Sequence, residues 1–433
     1  MAVRQEAVRG HLRLAWDRER ARAARRASRM AAARRSIGFL LLPTVFLTVT
    51  GLVMVLSASS VSAYARYGSS FLFFWRQLAY AAVGAVALLC TARMRYRTWQ
   101  RLAAPLLAAT AILLALVLHP GAGRVAGGSA RWLALGPVTV QPSELAKLAV
   151  VVFAAAVLAR KWGLLGDPTH LVVPLVPVVG VVCAMVYVQP DLGTTVILVG
   201  SVFLLLFTAG VRLRYLVVSG GLLSALALLT MQPYQRARLV AFLDPWADAR
   251  NTGYQLIQSL IALASGGWFG VGLGASRQKW MYVPNAHTDF IFSILGEELG
   301  LVGAFLVLAA FGALLYGGVR VALRAPDTFG RLLAAGIVSW LGLQIVVNLG
   351  AVTGLLPITG VPLPLLSYGG SSLVVTLAAV GTLVSIARAS ARPEEARPAG
   401  ARRRSGRRPG AGVVRASRAA SGRRTRVGHG GSR

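Results

Sequence analysis

The chain of 433 residues is 56% hydrophobic and only 14% charged, a balance that excludes an ordinary soluble domain and calls for apolar surface facing lipid as well as core. Its formal net charge is +32, but the two ends hold most of it: 11 arginines against 3 acids over residues 1–36 (+8), and 14 against 2 over residues 388–433 (+12). Two cysteines, Cys90 and Cys183, both inside apolar runs, are too few for a disulfide framework and read as small core residues.

Residues 1–36 are expected to form a disordered basic tail. They are too long for the basic region of a secretory signal, and the apolar run from Ile37 outlasts a signal's hydrophobic core. Such a tail beside a lipid-embedded body is expected to meet anionic lipids of the inner leaflet, not nucleic acid. A membrane-crossing helix needs roughly 20 apolar residues. Runs near that length fall at 37–60, 77–92 (extended toward Phe71), 102–119, 145–160, 170–188, 192–210, 213–231, 290–319, 330–352 and 367–387. The expected fold is therefore an all-α polytopic membrane protein of about ten spans over residues 37–387. A second Arg-rich tail, 388–433, is again expected to be disordered.

Cytoplasmic loops are rich in Lys and Arg, and the alternate short connections hold Arg93, Arg95, Arg97 and Arg101, then Arg160 and Lys161, then Arg212 and Arg214, then Arg320, Arg324 and Arg331. Both termini are thus expected inside. Three long outer connections follow, at about 120–144, 232–288 and 353–366; loops of this length are often functional. The second, between spans seven and eight, delivers the chain to Asp289.

In chain order, the first chemical cluster is RWLALGPVTVQPSELAKLAV, Arg131 to Val150. Pro142 suits the first turn of a helix with Gln141 or Ser143 as cap, and Glu144 and Lys147 share a face. Two readings stay open: an internal ion pair, or Lys147 and Arg131 holding a lipid phosphate. GVGLGA, Gly270 to Ala275, is like a dinucleotide fingerprint but has no strand before it, so it reads as a tight turn. In PNAHTDFIFSILGEELG, Pro284 to Gly300, Asp289 stands at a span mouth reachable by water and headgroups, as a functional carboxylate should. Glu297 and Glu298 lie roughly 12 Å deeper and read as a buried network that fixes packing. His287 and Asp289 lack the further ligands a zinc site needs. LSYGGSS, Leu366 to Ser372, serves either close backbone approach to a ligand or helix packing through small residues.

Together with QPDLGT and GLLPITGVPLPLLSYGGSSL, these stretches resemble the SEDS family of cell-wall proteins (FtsW, RodA and SpoVE) over nearly the whole membrane domain, with GVGLGASRQK and VPNAHTDFIF closer to the division branch than to the elongation branch. The family commonly has Glu where this chain has Asn285. The resemblance implies a glycosyltransferase that polymerises lipid II, a disaccharide-pentapeptide on undecaprenyl diphosphate, at the outer face of the bacterial cytoplasmic membrane and at the septum. It implies Asp289 as catalytic base. The candidate substrate-binding residues are Arg131, Gln141, Ser143, Glu144, Lys147, Arg277, Lys279, His287, Thr288, Ser367, Gly369, Gly370 and Ser371; of the diphosphate candidates Arg131, Lys147, Arg277 and Lys279, Lys147 matches a family position. A divalent cation (Mg or Mn) would share the diphosphate charge, its ligands unknown. The implied partners are a class B penicillin-binding protein, which would supply the cross-linking this chain lacks, and other divisome proteins. An elongation polymerase, a lipid II flippase, a scaffold and a ligase-like transferase are the alternatives.

Overall fold

A computed structural model describes residues 2–391, except 120, 122, 127–128, 137, 165–168, 281 and 285. Residues 392–433 of the second basic tail lie outside the described residues, as does Asn285. The chain is mostly helical. α1 (Ala2–Tyr67) is followed by α2 (Leu72–Arg93), α3 (Arg97–Leu118), a small sheet, α4 (Pro142–Arg160), α5 (Thr169–Val188), α6 (Leu192–Thr208) and α7 (Leu213–Leu229). Then come α8 (Pro233–Leu243), α9 (Tyr254–Ser265), α10 (Ile291–Arg324), α11 (Thr328–Val352) and α12 (Gly370–Ala391). Each of the ten expected apolar runs falls mainly on one helix, overrunning its ends by up to three residues. Seven of the described helices are long and apolar enough to cross a membrane, or up to eight if α7 and α8, bent at 109°, make one span. The protein is thus an integral, polytopic membrane protein.

Three features depart from the sequence reading. The first basic tail is helical and continuous with the first span, which follows from its composition: Ala and Arg are among the strongest helix formers, and charge alone does not unfold them. The loop after α3 holds a three-stranded antiparallel sheet, β1 (Gly123–Ala126), β2 (Ser129–Leu135) and β3 (Val138–Val140), so the fold is not purely α. The connection at 232–288 is not featureless but carries α8 and α9.

The core is built on α4, α11 and α12. Ala146, Ala149 and Ala154–Ala156 are buried along α4, and such small side chains let helices approach closely in lipid. α7 is peripheral, with Leu216 its single buried residue. α10 is not one smooth span. Gly300 (φ 66, ψ −165) interrupts it, and the segment after α9 fills the gap. Val271 N donates to Glu297 O (3.0 Å), Gly272 N to Glu298 O (3.1 Å), Leu301 N to Gly267 O (2.9 Å) and Val302 N to Trp268 O (3.1 Å). Backbone groups freed in a membrane helix must find partners within the protein, and this insert supplies them. Gly270 and Gly300 permit it, because a Cβ on either would collide with the other segment's backbone.

Candidate active site

Asp289 ends the long connection before α10, one residue ahead of that helix's N-cap. Its main-chain oxygen accepts from Asn348 Nδ2 of α11 (2.9 Å), and the same amide donates to Val361 O (2.7 Å). This brings the loop between α11 and α12 against Asp289. Gly360 (φ 71) faces the carboxylate without a side chain: a Cβ there would lie 3.5 Å from Asp289 Oδ2 and 3.9 Å from Arg238 Nη1. The half-buried carboxylate and the Arg238 guanidinium therefore flank the same glycine.

On the far wall, Asp191 caps α6 by accepting from Thr194 N (3.2 Å) and takes a weak bond from Ser143 Oγ (3.4 Å). Arg131, on β2, lies 4.0 Å from Asp191 Oδ1 and donates to Gln189 O (3.2 Å) and Pro190 O. A cavity of roughly 60 Å³ opens here between Arg131, Leu192, Tyr234, Gln235, Arg238 and Thr359. Two carboxylates and two guanidiniums thus act on one another at the mouth of the bundle. Burial pushes the Asp289 carboxyl up to about 6, with Asp191 adding to the rise and Arg238 and Arg131 opposing it. A carboxylate tuned this way takes up a proton near neutral pH better than an ordinary one.

The other candidates divide. Arg131 shares the site. Ser143, Glu144 and Lys147 are each 1% exposed, and Lys147 Nζ bonds Glu144 Oε1 (2.8 Å) and Gln344 Oε1 (3.0 Å). The ion-pair reading of Glu144 and Lys147 is the one the structure realises. All three side chains are enclosed by the helix bundle. Lys279, a diphosphate candidate, is likewise buried, against Gly274 O with Glu298 Oε1 at 3.7 Å. Arg277 is exposed and lines an open recess with Gln258, Trp280 and Tyr282, apart from the Asp289 cavity.

Glu297 and Glu298, 1% exposed, form the expected buried network. Glu297 accepts from Ser276 Oγ, Arg277 N (2.9 Å) and Gln278 N (3.4 Å), and Glu298 from Ser57 Oγ (2.6 Å). Around the last span's start, Gln77 of α2 donates to Ser367 O (3.1 Å) and accepts from Gly369 N (3.3 Å), while Ser371 Oγ accepts from Gln141 N (3.0 Å). A Cβ on Gly370 would meet the Tyr80 ring at 2.5 Å, so Gly370 serves helix packing. His287 packs between Phe73 (4.9 Å) and Tyr368 (5.6 Å). Burial and Arg66 push its imidazole down to about 4, leaving it neutral at pH 7. Thr288 is half-buried beside it. Among the described residues no three His, Cys, Asp or Glu side chains gather as a metal site.

Sequence reasoning missed Asp191, Arg238, Asn348 and Gly360. Asp191 was findable, since it is an acid at the mouth of an apolar run just as Asp289 is. Arg238 was one arginine among several in a long loop, with nothing local to mark it.

The fold and this site define a polytopic helical membrane protein with a paired carboxylate and guanidinium centre at the mouth of its bundle. The chain belongs to the FtsW/RodA/SpoVE family of cell cycle proteins, whose family pattern matches residues 39–392. It is 43% identical to stage V sporulation protein E of Bacillus subtilis, over 81% of this chain and 96% of that one. It is 46% identical to the probable peptidoglycan glycosyltransferase FtsW of Geobacter metallireducens, over 80% and 93%. Among solved structures it is similar to a chain from a peptidoglycan synthase complex that coordinates polymerization and crosslinking (TM-score 0.65, 33% identity, 81% and 98% covered). It is also similar to the rod shape determining protein RodA of Thermus thermophilus (TM-score 0.59, 30% identity, 81% and 96% covered).

Proposed function

We propose that this chain is a peptidoglycan glycosyltransferase that polymerises lipid II during septal wall synthesis. The observation that carries the reading is Asp289, a carboxylate raised to about 6 beside a cavity lined by Arg131 and Arg238. In the reaction, an acceptor sugar hydroxyl attacks the anomeric carbon of the donor, a new C–O bond forms, and the bond to the lipid diphosphate breaks. Asp289 takes the hydroxyl proton. Arg131 and Arg238 bear the charge that grows on the departing diphosphate, and forked guanidiniums suit phosphate oxygens. A divalent cation such as Mg or Mn fits Asp289 and Asp191 only if substrate oxygens complete its shell, as is usual for Mg; bound there, it would supply further charge neutralisation of the diphosphate.

The topology that serves this chemistry has ten spans, both termini in the cytoplasm and the Asp289 loop outside, in the bacterial cytoplasmic membrane. Division rather than elongation is favoured because relatives named FtsW reach 42–46% identity, against 30% for the RodA structure. A flippase would need a polar path through the bilayer, and Glu297 and Glu298 are instead occupied by the backbone and side chains of residues 276–279 and by Ser57. The working partner is a class B penicillin-binding protein acting as transpeptidase, alongside other divisome proteins, while the basic tails meet anionic lipids. The test is glycan formation from purified lipid II with the cognate transpeptidase present. Long glycan from the wild type and none from Asp289→Asn at matched folding upholds the reading; equal product from both places the base elsewhere, and no product from either sinks the polymerase reading.

A further inference from the structure

The loop between α11 and α12 holds two residues in the left-handed region within six positions, Gly360 (φ 71) and Leu365 (φ 65). A leucine stands there only against steric strain, and only where its surroundings over-determine the backbone. The same loop forms the Gly360 wall of the Asp289 site, so whatever holds it also shapes the site. What holds it is a row of buried side chains at four-residue spacing on one face of α11: Trp340, Gln344 and Asn348. Gln344 Nε2 donates to Pro362 O (2.8 Å), and Asn348 Nδ2 donates to Val361 O and to Asp289 O. At its other end, the Gln344 amide oxygen accepts from Lys147 Nζ (3.0 Å) and Trp340 Nε1 (2.8 Å). Two donors on that oxygen fix which way the amide faces, and so aim its NH₂ at the loop.

We propose that Lys147, Gln344 and Asn348 form a buried positioning relay that locks the loop at residues 357–366 to the Asp289 backbone, so that Lys147 serves the reaction without touching substrate. The catalytic consequence rests on the glycosyltransferase reading; the geometric one does not. Asn348→Leu removes both donor bonds at similar volume, and Gln344→Leu uncouples Lys147 from the loop. The pair Glu144→Gln with Lys147→Met removes both charges together, leaving no buried charge unpaired.

Each variant is tested as full-length protein in lipid nanodiscs with its transpeptidase. Kinetics with lipid II are paired with labelling of Asp289 by a hydrophobic carbodiimide, which reacts with protonated carboxyls, followed by peptide mass spectrometry across pH. Asp289 is faced by Arg238, Arg131 and Asp191, so moving it changes the pH at which labelling is half complete. In folded variants the expected result is a fall in kcat of roughly 10–100-fold, KM within about twofold, and a displaced labelling midpoint. An unchanged kcat and midpoint in folded Asn348→Leu would overturn the relay, and so would a raised KM with intact kcat in the Glu144/Lys147 pair, which would make Lys147 a substrate ligand. Should the double variant not fold, the two α11 variants decide. Labelling needs no turnover, so a wild type that makes no glycan would refute the glycosyltransferase reading while the midpoint still judges the relay.

Discussion

Two acidic groups sit within ten residues at the N-terminal end of α10, and they are used in opposite ways. Glu297 and Glu298 are sealed, and both oxygens of Glu297 and one of Glu298 are met by hydroxyls, main-chain N–H groups and a buried lysine. Asp289 faces Gly360, beside a cavity lined by Arg131 and Arg238, and the charges that act on its carboxyl belong to Arg238, Arg131 and Asp191. The first arrangement commits the acids to partners within the protein. The second leaves the carboxylate able to take a proton and the cations able to take an anion. What separates a functional acid from a structural one here is therefore access and partner type, not depth along the helix.

The sharpest way to break that contrast is to neutralise each acid in turn. Asp289→Asn should cut polymerisation by roughly 10²–10⁴-fold, the usual worth of a positioned base, while leaving the fold intact. It should even raise thermal stability at pH 7. The folded carboxyl titrates near 6, above its ordinary value near 4, so ionising it opposes folding. That cost is absent below about pH 4, grows between pH 4 and 6 and is complete above. A melting series of both proteins across pH would show the gain of Asp289→Asn appear over that window. Equal melting at every pH would mean that Asp289 is not held in a desolvated site.

Glu298→Gln should do the reverse. It leaves Lys279 buried without its counter-charge, a loss of about 3–5 kcal/mol when a buried pair is broken, and loosens the segment threaded into the gap of α10. Yield of monodisperse protein and its melting temperature should drop, while the protein that does fold should keep activity within a few-fold. Gly300→Ala should act alike, since a side chain there meets the backbone at Gly270 and has to adopt φ 66. A stable, inactive Glu298→Gln would erase the distinction between the two acids.

How far this was legible depends on range. Asp289 could be picked out from sequence because an acid at the mouth of an apolar run is expensive and therefore informative. The buried network of Glu297 and Glu298 followed from the same rule. The break at Gly300 was invisible, because GEELGLVGA reads as continuous helix and only the segment at residues 267–272, about 30 positions earlier, supplies the partners that stabilise a gap. Lys147 stayed open between ion pair and anion ligand for a related reason. Its neighbour Glu144 is local, but the groups that bury it, Gln344 and Trp340, come from α11. The N-terminal tail failed differently: its charge was weighed and its helix propensity was not.

Finer effects should come from the charges around Asp289. Asp191→Asn keeps a good N-cap on α6 and removes a negative charge that raises Asp289. The Asp289 carboxyl should then titrate lower, and the acid limb of kcat/KM should move down by less than about one pH unit. Arg238→Gln should move the limb up, because it removes a cation that favours the carboxylate, and should raise KM as well if Arg238 holds the diphosphate. Opposite displacements from the two variants would establish that they act on one titrating group.

Arg277→Ala is expected to do least, and its smallness is the point. The Arg277 main-chain N–H, not its exposed guanidinium, engages Glu297 (2.9 Å), and an alanine keeps that bond. Exposed substitutions away from special features typically change stability by under about 0.5 kcal/mol, and the rate with lipid II should stay within about twofold of wild type. If Arg277→Ala instead raised KM several-fold at unchanged melting temperature, the recess with Trp280 and Tyr282 would have to be read as part of the substrate path, and the division between a sealed acidic clamp and an open catalytic mouth would no longer run between Glu297 and Asp289.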